Sequence, residues 1–134
     1  MDRVTQAVRS RIMAAVRTRD TGAEKALRSI VHRLGYRYSL RRSDLPGKPD
    51  LAFVSRKRVI FVHGCFWHGH SCRHGCLPKS RLEYWAPKIA ANKARDRRQV
   101  NELKKAGWGV LVVWQCQLKR IGAVEARVRR FLDD

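Results

Sequence analysis

The sequence predicts a mixed α/β fold, in which one sheet is flanked by helices and accompanied by a loop rich in metal ligands. Helical periodicity, alternating segments and short apolar runs follow one another in the core order α-β-β-β-α-β, with one more helix at each end. Hydrophobic residues make up 44% of the chain and charged residues 31%, which is typical of a globular protein. The length of 134 residues suits one domain, residues 1–134.

Two helices are predicted before the first strand. Apolar residues at helical spacing indicate the first over residues 4–18. The second begins at a capping box formed by Thr21 and Glu24, because these residue types at this spacing hydrogen-bond the unpaired N–H groups of a helix start. It ends at Gly35, since glycine readily adopts the left-handed conformation that terminates many helices.

Three strands are predicted next, forming an antiparallel meander. Alternating polar and apolar residues indicate a half-buried strand over 36–40. Pro49 opens a second strand over 50–54, where a missing N–H costs no ladder bond. A short turn then leads into a third strand over 58–63.

The second half of the chain predicts helix, strand and helix. Ser80 and Glu83 form a second capping box that opens a short helix, after which Pro87 starts or kinks a long helix ending at Gly107. Residues 108–114 are apolar on both faces, which predicts a central buried strand. The last helix is predicted over 122–132.

The charge of the chain indicates a polyanionic partner. Thirty Lys and Arg against eleven Asp and Glu give a formal charge of +19, and nucleic acid is the usual partner of such a domain. The charge is equally typical of a basic protein that binds RNA or DNA without specificity and of a ribosomal component. A membrane surface is less favoured, because no long basic helix carries a continuous apolar face. With no targeting segment and no apolar run of membrane-spanning length, a cytoplasmic location is expected.

The cysteines and histidines predict a structural Zn²⁺ site. In a reducing compartment, four cysteines favour metal binding over disulfides. Cys65, His70 and Cys72 can converge from one loop, and Cys116, just past the end of the last strand, is the candidate for a fourth ligand. His74 and Cys76 are spare in this scheme. Free buried cysteines with surface histidines are the alternative.

Three residues form a candidate active site. Asp50, at the start of a strand after a glycine-containing loop, can hold Mg²⁺. His63 and His68 are candidate general bases or acids for the attack of water on phosphorus. The alternatives are a loop-capping aspartate, a zinc-ligating or hydrogen-bonded His63, and a His68 that belongs to the metal loop.

Two adjacent aromatic residues lie between those histidines. Phe66 and Trp67 are difficult to bury together in a short loop, and in a DNA-binding protein such a pair can wedge between base pairs. Core packing is the ordinary alternative.

Several segments match one known pattern, in order and over nearly the whole chain. They include Leu-Pro-Gly-Lys-Pro-Asp at 45–50 and the specific run His-Gly-Cys-Phe-Trp-His at 63–68. The other segments are Met13, residues 18–21, Glu24, Val62, and residues 83–85, 88–92, 95–98 and 107–114 before Cys116. In these segments the chain resembles the very-short-patch mismatch repair (Vsr) endonucleases.

The resemblance implies a restriction-endonuclease-like core and an activity. The family nicks one DNA strand 5′ to the thymine of a T:G mismatch, the lesion left when 5-methylcytosine deaminates. Asp50 and the main-chain carbonyl of Val62 would bind Mg²⁺. His68 would be the base for the attacking water, His63 would assist at the phosphate or leaving group, and Glu24 would be an auxiliary acid.

The resemblance also implies how DNA is bound, with Zn²⁺ held by Cys65, His70, Cys72 and Cys116. An N-terminal helix within residues 1–20, around Met13, would reach the minor groove. The residues that would wedge beside the mismatch or read its bases are Phe66, Trp67, Trp85, Lys88 and Asn92. The partner would be mismatched double-stranded DNA, with mismatch-repair proteins and a cytosine methyltransferase system nearby. The protein would act as a monomer in the bacterial cytoplasm, associated with the nucleoid.

Two departures and two alternatives accompany this resemblance. The wider restriction-enzyme superfamily places Glu-x-Lys on the third strand, whereas this chain has Phe61-Val62-His63 there, so histidines must carry the proton chemistry. Cys76 has no role that the family supplies. The alternatives are a noncatalytic zinc-stabilised DNA-binding module and a related nickase with another mismatch or restriction-type target.

Overall fold

The computed structural model describes residues 22–40, 42–72 and 75–133. The elements in chain order are α1 (Gly22–Leu34), β1 (Ser39–Leu40), β2 (Leu51–Phe53), β3 (Arg58–His63), α2 (Leu82–Lys105), β4 (Gly109–Trp114) and α3 (Ile121–Asp133). The predicted core order α-β-β-β-α-β, followed by a last helix, is confirmed. The helix predicted over residues 4–18 and Thr21 of the first capping box lie outside the described residues.

The four strands form one mixed sheet in the order β1-β2-β3-β4. The predicted meander is confirmed, because β1 pairs with β2 and β2 with β3, both antiparallel. β4 pairs parallel with β3, from Arg58 opposite Gly109 to His63 opposite Trp114. Since parallel strands end at the same edge of a sheet, the segments that follow β3 and β4 emerge side by side.

Helices cover both faces of this sheet. α1 and α3 pack on one face, and the buried side chains there are Leu27, Ile30, Val31, Leu51, Phe53, Ile60, Val113, Val124, Val128 and Leu132. α2 packs on the other, where Leu103 meets Ala52, Val59 and Phe61. Three layers result, with a core on each side of the sheet. Among the helices of the described ranges, none is long and apolar enough to cross a lipid bilayer.

The predicted central position of β4 is wrong. β4 lies at the edge of the sheet that the described residues form, next to β3. Its apolar residues alternate between the two cores: Leu111 and Val113 face α1 and α3, whereas Val110 and Val112 face the α2 side. Apolar residues on both faces of a strand therefore report that helices cover both faces, and they carry no information about its lateral neighbours.

The predicted start of α2 is also wrong in detail. The helix runs without interruption from Leu82 to Lys105 and includes Pro87, so it does not begin at the proline. Its N-cap is Arg81, in the left-handed conformation, and no side-chain cap hydrogen bond forms there. A capping pattern centred on Ser80 therefore predicted the right region for the helix start and the wrong capping residue.

We expect truncation of the α2-side core to be costly. Leu103 is fully buried, so Leu103→Ala should lower the free energy of unfolding by about 2–5 kcal/mol. Leu82→Ala is the matched control, because Leu82 is 48% exposed in the same helix, and it should change stability by no more than about 0.5 kcal/mol. Denaturant unfolding measures both. Equal losses in the two variants would contradict this assignment of the core.

Candidate active site and metal cluster

An open cleft of about 660 Å³ lies where α1, the loop before β2, the end of β3 and α2 come together. The residues that the family resemblance assigned to Mg²⁺ or to catalysis all line it: Glu24, Asp50, Val62, His63 and His68. They come from separate parts of the chain, so the fold, rather than local sequence, collects them. Two basic residues, Lys48 and Arg95, also line the cleft.

Asp50 is held at the base of this cleft by the antiparallel pairing of β2 with β3. The register places Leu51 opposite Ile60, so Asp50, one residue earlier, reaches the end of β3. Its Oδ2 accepts a hydrogen bond from the backbone N–H of Val62, at 2.7 Å. A carboxylate anchored across two strands in this way has a defined orientation toward the cleft.

The two candidate catalytic histidines are in direct contact. The rings of His63 and His68 stack with centroids 3.9 Å apart and only 5° between their planes. His63 is buried, with 7% of its surface exposed. Burial, together with the neighbouring His68, lowers the pKa of His63 to about 4. An imidazole with such a pKa is neutral at pH 7.

His68 has a carboxylate partner that sequence reasoning missed. Its Nδ1 lies 2.5 Å from Oδ2 of Asp96, whose side chain is only 14% exposed. Because an ionised carboxylate only accepts hydrogen bonds, Nδ1 carries the proton and Nε2 is left as the basic nitrogen. A signal was present in the sequence, since Asp96 is a single acid among Arg95, Arg97 and Arg98. Only the fold brings it to His68.

The four predicted zinc ligands come together beside the cleft. The ligand atoms of Cys65, His70, Cys72 and Cys116 all lie within 4.8 Å of one another, and Cys116 Sγ is 3.6 Å from His70 Nδ1. Ligand atoms of a tetrahedral zinc site are about 3.4–3.8 Å apart, given bond lengths near 2.0–2.3 Å. The donor set and its spacing therefore suit a metal ion. Cys76 is exposed and outside this group, and His74 lies outside the described residues.

The environment of Cys65 sets the protonation state of its thiol in the absence of a metal ion. Burial raises the pKa of this thiol to about 11, and hydrogen bonding with Cys72 and Cys116 contributes to the shift in pKa. Without a cation the sulfur is therefore protonated at pH 7, whereas a bound metal ion displaces the proton.

Trp114 contacts both a predicted zinc ligand and the pair of candidate catalytic histidines, and the sequence assigned it no role. Its ring stacks on His70 at 4.2 Å with 17° between the planes, and it meets the edge of His63 at 5.1 Å. It contacts one predicted zinc ligand and one predicted catalytic residue, so these two side chains are positioned by the same indole.

The predicted wedge residues form a compact aromatic cluster. Phe66, Trp67 and Trp85 make mutual edge-to-face contacts with centroids 5.1–5.7 Å apart. Trp85 is 6% exposed, whereas the other two are half-buried, so Trp85 supports the cluster in this conformation. Asn92 Nδ2 donates a hydrogen bond to the Trp67 carbonyl at 3.0 Å.

The remaining residues predicted to contact DNA are Lys88 and Met13. Lys88 is exposed on α2, with its ammonium 5.7 Å from the Tyr84 ring centroid. Met13 lies outside the described residues.

Comparison with known proteins gives this site a family context. The model of the family described as DNA mismatch endonuclease Vsr matches residues 1–74, more than half of the chain. The chain is 58% identical over 132 residues to the type II nicking enzyme V.XorIIP of Xanthomonas oryzae pv. oryzae, covering 98% of this chain and 97% of the relative. It belongs to the Vsr family of endonucleases. The resemblance drawn from sequence is confirmed.

Two further comparisons agree with this membership. The DNA mismatch endonuclease Vsr of Escherichia coli K12 is 44% identical over 114 residues, covering 85% of this chain and 73% of that protein. The catalytic domain of the homing endonuclease I-Bth0305I superposes with a TM-score of 0.58 at 18% identity, covering 84% of this chain and 94% of the domain. This second likeness shows that the two proteins share a fold.

Gly69 lies in the loop after β3, between the candidate base His68 and the predicted zinc ligand His70. We expect Gly69→Ala to displace this loop. The φ of Gly69 is +62°, and an added Cβ would lie 2.8 Å from Cγ2 of buried Ile89 and 2.7 Å from Cδ of Lys93. Together the backbone and steric costs predict a loss of about 2–4 kcal/mol in denaturant unfolding.

Gly122→Ala is the control for this substitution. An added Cβ at Gly122, in α3, meets nothing within 4 Å, so this variant should be neutral or gain up to about 1 kcal/mol. A Gly69→Ala variant as stable as the wild type would show that the loop can adjust freely.

Proposed function

We propose that this Vsr-family endonuclease is a Mg²⁺-dependent enzyme that nicks one DNA strand 5′ to the thymine of a T:G mismatch. The observation that carries the proposal is the cleft in which Asp50, His68 and Asp96 meet. A carboxylate suited to a hard cation and an imidazole oriented as a base are the two parts that metal-assisted hydrolysis of a phosphodiester needs. The +19 charge supplies attraction for the DNA backbone.

The residues of the cleft fit Mg²⁺, which prefers oxygen ligands and binds through one or two carboxylates plus phosphate and water. Asp50 and the carbonyl of Val62 would hold it, with Glu24 as an auxiliary acidic residue nearby. Bound Mg²⁺ would neutralise charge on the phosphate and lower the pKa of a coordinated water.

The imidazole pair supplies the proton chemistry. Asp96 accepts the hydrogen bond of His68 Nδ1 and fixes the ring, so that Nε2 can take a proton from the attacking water. As the water oxygen bonds to phosphorus, the bond from phosphorus to the leaving oxygen breaks. His63, stacked on His68, assists by hydrogen bonding at the phosphate or the leaving oxygen.

Selectivity for the mismatch would come from the aromatic cluster. A mismatched pair costs less to unstack than a matched one, so a wedge formed by Phe66 and Trp67 with Trp85 behind them would favour T:G sites. Lys88 and Asn92, on the helix beside the cluster, would read the bases. Because the Asn92 amide already donates to Trp67, base reading by this group requires an exchange of that hydrogen bond.

A nickase with another target is the second candidate. Several relatives are named type II nicking enzymes, among them one from Xanthomonas oryzae pv. oryzae at 58% identity and one from Neisseria meningitidis at 38% identity. Their names support cleavage of one strand and leave the target open. Few contacts set a target, so this candidate shares the fold and the cleft with the first.

A nicking assay with labelled duplexes tests the reaction and its target. With Mg²⁺, the wild type should nick a T:G duplex faster than a G:G or fully paired duplex. Asp50→Ala should lower the rate by about 10²–10³-fold or more while DNA binding survives. Asp44→Asn, an exposed acid paired with Arg42, is the control and should cut normally.

Each outcome of this assay separates the candidates. Equal rates on the three duplexes would favour the second candidate, and full activity in Asp50→Ala would remove the role of that carboxylate. Binding without cutting by the wild type would leave a noncatalytic DNA-binding module.

Asp96→Asn tests the orientation of the base. The amide cannot stabilise a protonated His68 as a carboxylate does, so the nicking rate should fall by about 10²–10⁴-fold with DNA affinity unchanged. Glu102→Gln, an exposed acid on the same helix, should have no effect. If both variants cut at the wild-type rate, His68 works without its carboxylate partner.

We also propose that the four-residue cluster holds a structural Zn²⁺. The support is its Cys₃His donor set, which is a typical closed zinc site, and the separation of its ligand atoms. The site clamps the loop after β3 to the turn after β4 and so limits how far the adjacent His68 can move.

Metal analysis tests this site. Atomic absorption should find about one zinc per chain, retained through dialysis without Mg²⁺. Cys116→Ser should lose the zinc and lower the thermal midpoint, whereas Cys76→Ser, an exposed cysteine outside the cluster, should keep both. Folded wild-type protein without zinc would contradict the proposal.

A further inference from the structure

The third strand of this protein lacks the lysine that the restriction-enzyme superfamily places there, and Phe61, Val62 and His63 occupy the stretch instead. Two basic residues among the described residues nevertheless line the cleft, Lys48 and Arg95. Arg95 lies 3.4 Å from Asp96, so its charge is partly used within the protein. In the described ranges no ion pair joins Lys48 to a carboxylate of the cleft.

The backbone at Lys48 has a conformation that residues other than glycine rarely adopt. Its φ is +48°, directly after Gly47 at +76°, and its N–H donates to the carbonyl of Leu45 at 3.1 Å. A lysine at positive φ is unfavourable where glycine would fit without strain, and the following Pro49 restricts the residue further. Such conformations persist where the surrounding structure holds a residue in a defined place, and they concentrate at functional sites.

We propose that Lys48 contacts the scissile phosphate and stabilises the negative charge that develops on its nonbridging oxygens during cleavage. Lys48 precedes Asp50 by two residues, in the loop before β2, and it lines the same cleft as His63 and His68. A lysine acts on phosphate as a compact point charge, and it needs proximity more than an exact angle. This inference rests on the proposed phosphodiester hydrolysis.

The chain supplies a matched control for this lysine. Lys57 is also exposed and has a φ of +53°. It lies in the turn before β3, outside the cleft, where its ammonium is 5.7 Å from the Trp108 ring centroid. The two lysines share residue type, exposure and backbone conformation, and they differ in location.

The experiment compares Lys48→Met, Lys48→Gly and Lys48→Arg with Lys57→Gly on a T:G duplex. Lys48→Gly removes the side chain and also relieves the backbone, so it folds even if Lys48→Met does not. Single-turnover nicking with Mg²⁺ should fall by about 10²-fold in both Lys48→Met and Lys48→Gly. Lys48→Arg should stay within about tenfold of the wild type, because the charge remains, and Lys57→Gly should be unchanged.

A second readout does not depend on cleavage. In buffer without Mg²⁺, the slope of log Kd against log salt should decrease by about one in Lys48→Met and Lys48→Gly, since one phosphate contact is lost, and it should stay the same in Lys57→Gly.

The outcomes distinguish this inference from the proposed function. Wild-type cutting by folded Lys48→Gly would overturn the role of the side chain, even if Lys48→Met is slow. An unchanged salt slope in both variants would also overturn the phosphate contact. If the wild type itself does not cut, the proposed function fails, and the salt slope alone then decides whether Lys48 binds phosphate.

Discussion

The parallel pairing of β3 with β4 is the constraint on which the rest of the site depends. It sets His63 opposite Trp114 at the last position of both strands. The loop that follows β3 and the turn that follows β4 consequently leave the sheet at one edge. Cys65 and His70 come from the first of these segments and Cys116 from the second, so the strand register brings the predicted zinc ligands together.

The same register connects the predicted zinc ligands to the candidate catalytic histidines. Trp114 stacks on His70 and contacts His63, while His68 stacks on His63 and bonds to Asp96 on α2. A continuous series of ring contacts therefore runs from the cysteine cluster to the carboxylate partner. Residues that lie far apart in the chain are positioned by two neighbouring strands and one helix, rather than by a flexible loop alone.

The order of elements and three members of the Cys/His cluster, Cys65, His70 and Cys72, could be predicted from local patterns, whereas Cys116 was added from its position just past the end of a strand. Helical periodicity and strand length report on burial nearby, and Cys and His residues within a few positions report on one another. Residue chemistry made Asp50, His63 and His68 candidates, the family resemblance gave them roles, and all three line one cleft. Their spatial convergence depends on the pairing of β2 with β3, which no single segment encodes.

What the sequence did not reveal depends on contacts between distant parts of the chain. Asp96 lies 28 residues from His68, and an acid within a run of arginines ordinarily indicates a solvated helix face. The edge position of β4 was missed because its hydrophobicity comes from helices above and below it. The left-handed Arg81 replaced the expected serine cap, since capping motifs describe a helix end only when the preceding backbone adopts the usual extended form.

The tight fit of Gly69 against α2 has a consequence for how such proteins diverge. The missing side chain there is matched by Ile89 and Lys93 on the facing helix, one of them buried. A homologue with a larger residue at this position would need smaller partners on the helix in the same lineage. Substitutions at these three sites should therefore appear together.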